Sequence, residues 1–273
     1  MARVKENNQF YGKYFECCVV NVINQANEEL YKESYVDFTP KELQDMKQDA
    51  EQLALYLNAN KAEYIGNLTV NAKGDIFLPE SQESIEIKYV SSGKGTYWNT
   101  SLTYFEKFGF NFQQYFHDFN LITTLKNLFG ENVQISDKNK SPVSKESSSY
   151  IRHNFSDEYE KQIVPLDEQM REAFVKDLAL FFQNNPQATK ELINDVLLKN
   201  SATNKKGKPD RLIVYNYNTK KIIDFNWEKI FSDANVNTDI QATKKGLIIN
   251  NIRIAIGWQN GNGLNNPTLR VFL

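Results

Sequence analysis

The predicted fold is decided by two adjacent stretches of sequence, Gly74-Asp75-Ile76-Phe77-Leu78 and Ser84-Ile85-Glu86-Ile87-Lys88-Tyr89-Val90. Both are rich in β-branched and aromatic residues and a short polar turn separates them, which is typical of two paired strands. Side chains alternate between the two faces of a strand, so Glu86 and Lys88 share one face while the isoleucines beside them face a core. The pairing predicts that Asp75, Glu86 and Lys88 lie at one point.

Carboxylates that converge in this way indicate a metal site. They are unfavourable together unless a hard divalent cation lies between them, and Mg²⁺ is the usual occupant of oxygen-rich sites that retain water. We expect Asp75 and Glu86 to bind Mg²⁺ and Lys88 to orient or help deprotonate a water, or to stabilise charge on a phosphate. This chemistry suits metal-assisted hydrolysis of a phosphodiester. The spacing alone is also consistent with an edge hairpin whose charges are solvated.

These residues resemble the pattern of the PD-(D/E)XK nuclease superfamily, in which an acidic residue begins one strand and Glu-x-Lys lies on the next. Gly74 stands where that pattern usually has proline. The resemblance extends to about residue 120. It implies a restriction-endonuclease-like core, Mg²⁺ as the cofactor, and the backbone carbonyl of Ile87 as a third ligand beside Asp75 and Glu86.

Residues 8–23 predict a first helix that faces the core, with Gly12 allowing close approach. Glu16 lies within or next to its apolar face, and a carboxylate near a buried face needs a partner such as a metal site or a lysine. The Gly-x-x-x-Glu arrangement is similar to the first helix of many enzymes of the same superfamily, where such a glutamate supports the metal site. A solvated Glu16 beside the apolar face is the alternative. The apolar positions are Tyr11, Phe15, Val19, Val22 and Ile23.

Three polar segments are candidates for contact with DNA. The segment after the Glu-x-Lys strand offers hydroxyls and a lysine for phosphates, aromatic rings for stacking, and an amide for a base edge. A lysine-rich loop offers phosphate contacts, and a C-terminal loop offers amides that can bond adenine edges. Each segment also fits an ordinary polar loop or turn. The candidates are Ser91, Ser92, Lys94, Thr96, Tyr97, Trp98 and Asn99, then Lys205, Lys206 and Lys208, then Gln259, Asn260, Asn262 and Asn265.

Composition narrows the possible classes of protein. The 273 residues suit one large domain or two small ones, and the net charge of −2 does not by itself indicate a nucleic-acid binder. A sequence-specific enzyme can, however, confine its positive charge to one cleft. Cys17 and Cys18 are adjacent and predict reduced thiols in a cytoplasmic protein. His117 and His153 are far apart, which disfavours zinc sites and histidine-based catalysis. We expect neither a signal peptide nor a membrane span.

The helix and strand patterns predict an α/β protein with a central mixed β-sheet flanked by helices and a smaller α+β C-terminal region. We expect residues 1–130 to form the PD-(D/E)XK-like catalytic core, 131–154 a polar loop or linker, and 155–273 an α+β region for DNA recognition and core completion. The aromatic stretch 102–119 is expected to pack in a core. Helices are expected at 41–60, 121–129, 166–182, 187–198 and 227–231, and strands at 64–70, 75–78, 84–90, 211–217 and 221–225 and in three later segments.

The residues and the resemblance together predict a type II restriction endonuclease that hydrolyses double-stranded DNA at a short specific sequence with Mg²⁺. Because protein symmetry mirrors site symmetry, cleavage of a palindrome implies a homodimer, and a restriction system implies a cognate DNA methyltransferase. A structure-specific repair or recombination nuclease of the same superfamily is one alternative. A non-catalytic DNA-binding module is another, although carboxylates and a lysine retained without a metal would cost stability.

Overall fold

The computed structural model describes residues 7–26, 38–66, 73–93, 95–130, 133–134, 143–200, 207–230, 239–250, 252–258, 264 and 267–273. These residues form a mixed α/β protein with two five-stranded sheets. The helices are α1 (Asn7–Ile23), α2 (Pro40–Leu57), a 3₁₀ helix (Leu102–Phe108), α3 (Phe112–Asp118), α4 (Leu121–Phe129), α5 (Lys145–Asn154), α6 (Ser156–Glu158), a π-helical turn (Tyr159–Ile163), α7 (Val164–Asn184) and α8 (Pro186–Leu197). The strands are β1 (Glu63–Tyr64), β2 (Ile76–Leu78), β3 (Glu83–Val90), β4 (Trp98–Ser101), β5 (Arg211–Asn216), β6 (Lys221–Asp224), β7 (Ile240–Thr243), β8 (Gly246–Ile249), β9 (Ile252–Trp258) and β10 (Pro267–Phe272).

The chain divides into two compact units. The first contains residues 1–95 and 197–229, and the second contains residues 96–196 and 230–273. This division differs from the predicted boundaries at 130 and 155. The difference arises because β5 returns to pair with β3, so residues far along the chain complete the first unit.

The first unit is built on a sheet with strand order β1-β2-β3-β5-β6. Strands β1, β2 and β3 are antiparallel, β3 and β5 are parallel, and β6 is antiparallel to β5, so the predicted mixed sheet is confirmed. Helices α1 and α2 contribute to the core that covers one face, where Phe15, Leu53, Ile85 and Tyr215 are buried. The isoleucines of β3 thus face this core, as the alternation of its side chains predicts.

A capping box fixes the start of helix α2, and one buried carboxylate fixes its position against the sheet. Thr39 accepts a hydrogen bond from the Glu42 amide, and Glu42 accepts one from the Thr39 amide, which forms a capping box at the predicted start. Asp49 is fully buried and accepts hydrogen bonds from the hydroxyls of Tyr89 (2.8 Å) and Tyr215 (2.9 Å). These bonds join α2 to β3 and β5 and hold the sheet that carries the predicted site.

The second unit contains an antiparallel sheet with strand order β4-β10-β9-β8-β7. Its core is strongly aromatic, with Phe105, Phe112 and Phe116 buried beside Phe174 of α7, so the predicted packing role of residues 102–119 is confirmed. The described C-terminal part contains four strands rather than the expected three. Strand β7 is only four residues long and all of it except Ile240 is exposed, so it carries little alternation signal.

Residues 145–154 form α5, so the prediction of a polar loop or linker over 131–154 is wrong for this part. Ser144 caps the helix by accepting a hydrogen bond from the Ser147 amide at 3.1 Å. Serines disfavour helix interiors but favour helix starts, which explains why a serine-rich segment suggested a loop. Residues 131–132 and 135–142 lie outside the described part of the chain. Among the helices described, none has both the length and the apolar character needed to cross a membrane.

Candidate active site

The pairing of β2 with β3 brings two carboxylates together in the first unit. Ile76 lies opposite Ile85, where the paired register ends, and Asp75 directly precedes Ile76. The Asp75 amide donates to the Ile85 carbonyl at 2.8 Å, and the Asp75 Oδ2 atom accepts from the Ile87 amide at 2.8 Å. These bonds hold the Asp75 carboxylate at the end of β2, beside Glu86.

Glu86 is the most strongly paired carboxylate of this group. Its Oε1 atom lies 2.5 Å from the Lys88 Nζ atom, and its Oε2 atom lies 2.5 Å from the Lys199 Nζ atom. Burial alone would raise the pKa of Glu86, but the two ammonium groups outweigh burial and lower that pKa to about 2. Glu86 is only 7 % exposed and β3 is an inner strand of its sheet, so the alternative of a solvated edge hairpin is wrong.

Lys199 was not among the predicted site residues. It follows α8, is buried, and adopts a left-handed backbone with a φ of 54°. A left-handed residue is a common way to end a helix, and here it directs the chain away from α8. Burial lowers the pKa of Lys199 although the Glu86 carboxylate acts to raise it. No sequence spacing links Lys199 to Glu86, because 113 residues separate them.

Glu16 of α1 is the third carboxylate of this cluster. It is 7 % exposed, so the alternative in which it is solvated is wrong, and a Cβ atom added at Gly12 would lie 3.7 Å from its Oε1 atom. Burial, and then the negative charge of Asp75, raise the pKa of Glu16 well above its usual value. Burial, and then the charge of Glu86, raise the pKa of Asp75 to about 6. Burial is therefore the main reason why the charged forms of Glu16 and Asp75 are disfavoured, and the neighbouring carboxylates add to it.

The oxygen atoms available at this site suit Mg²⁺, which keeps several bound waters, better than a metal ion whose ligands are all side chains. No group of three His, Cys, Asp or Glu side chains within the described ranges is placed to hold a metal ion. Mg²⁺, however, usually keeps several waters and takes only one or two carboxylates. Asp75 and Glu86 provide these. The amide and carbonyl of a strand residue point to the same side of the strand. The Ile87 amide donates to Asp75, so the Ile87 carbonyl also lies on the side of β3 where Asp75 is found.

Gly74 permits the close approach of β2 to β3 at the site. A Cβ atom at this position would lie 2.7 Å from the Ile85 backbone carbonyl oxygen, which is closer than two such atoms can come. Any residue with a Cβ atom, proline included, would meet the Ile85 backbone at this position.

We expect the substitution Gly74→Ala to lower the free energy of unfolding by about 1 to 3 kcal/mol, because β2 must move away from the Ile85 backbone. Denaturant unfolding of both proteins measures the difference. Gly257→Ala is the matched control, since no described atom lies within 4 Å of a Cβ atom added there. Equal stability of the Gly74→Ala variant and the control would contradict the close approach.

The segment after β3, which was predicted to contact DNA, is exposed only in part. Ser91 and Ser92 are exposed in the first unit, where the chain turns back so that Gly95 lies against the side chain of Lys88. In the second unit Tyr97 is 4 % and Trp98 is 7 % exposed. The prediction that these two rings stack on bases is therefore wrong for this structure, because both belong to the core around β4.

The remaining candidates for DNA contact divide into described and undescribed residues. Thr96 is half-buried and Asn99 is exposed on β4, opposite Arg270 of β10. Lys208 is half-buried, with its Nζ atom 4.9 Å from the centre of the Trp227 ring. The others lie outside the described residues: Lys94, Lys205, Lys206, Gln259, Asn260, Asn262 and Asn265.

Comparison with known proteins assigns no family to this chain. No protein-family model matches the sequence, and no curated protein matches it. The functional argument therefore depends on the geometry and charge of the cluster formed by Glu16, Asp75, Glu86, Lys88 and Lys199, which we call the carboxylate–lysine cluster.

Proposed function

We propose that this protein is a Mg²⁺-dependent endonuclease that hydrolyses phosphodiester bonds in double-stranded DNA, and in particular a type II restriction endonuclease of the PD-(D/E)XK kind. The observation that carries the proposal is the placement of Asp75 beside Glu86, with the Asp75 amide on the Ile85 carbonyl and its carboxylate on the Ile87 amide, and with Lys88 bonded to Glu86. This juxtaposition supplies metal ligands and an ammonium group at one point of a rigid sheet.

Each residue of the carboxylate–lysine cluster has a distinct task in this proposal. A bound Mg²⁺ supplies Lewis-acid stabilisation of the charge on the phosphate. Asp75 and Glu86 hold the ion, and the Ile87 amide keeps the Asp75 carboxylate oriented. The Lys88 ammonium positions the attacking water and stabilises the developing negative charge. Glu16 supports the site by adding negative charge that attracts a cation.

The burial of the cluster supports a metal-dependent role over a purely structural one. Buried carboxylates that raise one another's pKa are costly, since Asp75 and Glu16 are both disfavoured in their charged forms. A divalent cation would remove that cost by supplying the missing positive charge. Strongly perturbed carboxylates grouped with lysines are typical of functional sites.

The choice of DNA as substrate is supported by the segment that follows β3. Ser91 and Ser92 are exposed directly after β3, the strand that carries Lys88, and serine hydroxyls commonly bond to phosphate oxygens. The whole carboxylate–lysine cluster belongs to the first unit, so sequence recognition is assigned in this proposal to the second unit. A palindromic target would require a homodimer, and a DNA methyltransferase would protect the host.

Incubation of the purified protein with unmethylated phage DNA, in Mg²⁺ and in EDTA, tests the proposal. We expect discrete bands on a gel in Mg²⁺ and intact DNA in EDTA, and the ends of the fragments would give the recognition sequence. A smear, or cleavage restricted to branched DNA, would favour a structure-specific repair or recombination nuclease. If DNA of every kind stays intact in Mg²⁺, the result would contradict the proposed endonuclease activity and favour a DNA-binding module.

A further inference from the structure

Both oxygens of the Glu86 carboxylate are occupied by ammonium groups. The Lys88 Nζ atom contacts Oε1 and the Lys199 Nζ atom contacts Oε2, each at 2.5 Å. Lys88 comes from the same strand as Glu86, but Lys199 reaches the site from beyond α8. A divalent cation that binds Glu86 therefore approaches an oxygen that already accepts a bond from an ammonium group, and the two positive charges repel each other.

The two lysines are not held equally well. Burial acts to lower the pKa of both ammonium groups, and the Glu86 carboxylate acts to raise it in both cases. The Lys199 side chain is 6 % exposed, against 23 % for that of Lys88, so it has less access to water that could stabilise its charge. Of the two ammonium groups, that of Lys199 is the less stably held.

We propose that Lys199 is a positioning residue that acts as a tethered counter-cation of Glu86: it holds one carboxylate oxygen in the metal-free protein and gives it up when a divalent cation binds. The inference rests on the metal site of the proposed function. In this inference Lys199 lowers the affinity of the site for a divalent cation, because its buried ammonium group repels the cation. Lys199 also keeps Glu86 oriented while the site lacks its metal.

The total charge of the cluster explains the direction of the expected effect. Removing the Lys199 charge makes the cluster more negative by one unit before a divalent cation binds, whichever of its carboxylates are ionised. Since charges a few ångströms apart in a buried site interact by more than 1.4 kcal/mol, which is the energy of a tenfold change, we expect tighter binding of at least about tenfold.

The test is a calorimetric titration with Mg²⁺ alone, in the absence of DNA, of the full-length wild-type protein and the Lys199→Met variant. We expect the dissociation constant of the variant to be lower by at least about tenfold. Lys199→Arg keeps the charge and should retain the wild-type affinity. Lys190→Met is the matched control, because Lys190 is exposed on α8. Unchanged or weaker binding by a folded Lys199→Met protein would overturn the inference.

Failure of the variant to fold would also be informative. The proposal predicts that Mg²⁺ replaces the missing cation, so excess Mg²⁺ should restore the circular-dichroism spectrum of Lys199→Met, and a variant that stays unfolded in Mg²⁺ would overturn the inference. Wild-type protein that binds no Mg²⁺ would overturn the metal site and the proposed function with it. Wild-type binding without tighter binding by the variant would overturn the role of Lys199 alone.

Discussion

Replacement of Asp75 by asparagine is expected to reduce Mg²⁺-dependent DNA cleavage by about a thousandfold or more, with the fold retained. Asparagine keeps an oxygen that can accept the hydrogen bond of the Ile87 amide, so β2 and β3 should stay in register. It removes the charge that would bind Mg²⁺. Initial cleavage rates of the two proteins on the same phage DNA measure the effect.

The same substitution should stabilise the metal-free protein at neutral and higher pH. The pKa of Asp75 is raised from 3.8 to about 6 in the folded state, so above pH 6 the folded protein carries a charge that burial disfavours. This loss of stability is absent at a pH below the Asp75 pKa of the unfolded chain, and it reaches its full size at a pH above the Asp75 pKa of the folded protein. We expect Asp75→Asn to gain up to about 3 kcal/mol at about pH 8 and almost nothing at about pH 4, measured by denaturant unfolding in EDTA.

Asp45→Asn is the matched control for both measurements. Asp45 is exposed on α2 of the same unit, so this substitution should leave cleavage and stability close to those of the wild-type protein. An Asp75→Asn protein that cleaves DNA at the wild-type rate would contradict the metal site. One that is less stable than the wild type at high pH would contradict the cost of burying the Asp75 charge beside Glu86.

Replacement of Lys88 by methionine is expected to reduce cleavage by about a hundredfold or more and to leave Mg²⁺ binding intact. Methionine keeps much of the length of the side chain but removes the ammonium group that bonds to Glu86 and is proposed to position the water. Because a positive charge near the ion opposes its binding, the variant should bind Mg²⁺ at least as tightly as the wild type. Cleavage rates and calorimetric titration separate the two effects.

Lys190→Met serves here as the control for loss of a lysine, since Lys190 is exposed on α8. The comparison with Lys199→Met is also informative, because both lysines contact the same carboxylate. Wild-type cleavage by Lys88→Met, together with lost cleavage by Lys199→Met, would transfer the role of the essential ammonium group to Lys199. Weaker Mg²⁺ binding by Lys88→Met would indicate instead that Lys88 mainly shapes the Glu86 carboxylate.

Much of the first unit follows from local sequence. The alternation of side chains on β3 predicts that Glu86 and Lys88 share a face, and the short turn after β2 predicts the antiparallel pairing that brings Asp75 beside β3. The apolar spacing of α1 predicts Glu16 at a buried face, and Thr39 with Pro40 predicts the start of α2. These features depend on interactions between residues close in the chain, where periodicity and capping residues are direct signals.

Other features were decided only by tertiary structure. The division into units depends on the parallel pairing of β3 with β5, and Lys199 reaches Glu86 across 113 residues of chain. Tyr97 and Trp98 lie in a polar segment, yet the second unit buries both rings beside β4. Contacts between distant parts of a chain leave no periodic signal, because they are selected by packing and charge in the folded state. The sequence by itself thus determined the carboxylates and Lys88 as the candidate site, and the tertiary structure decided that a second lysine completes the cluster.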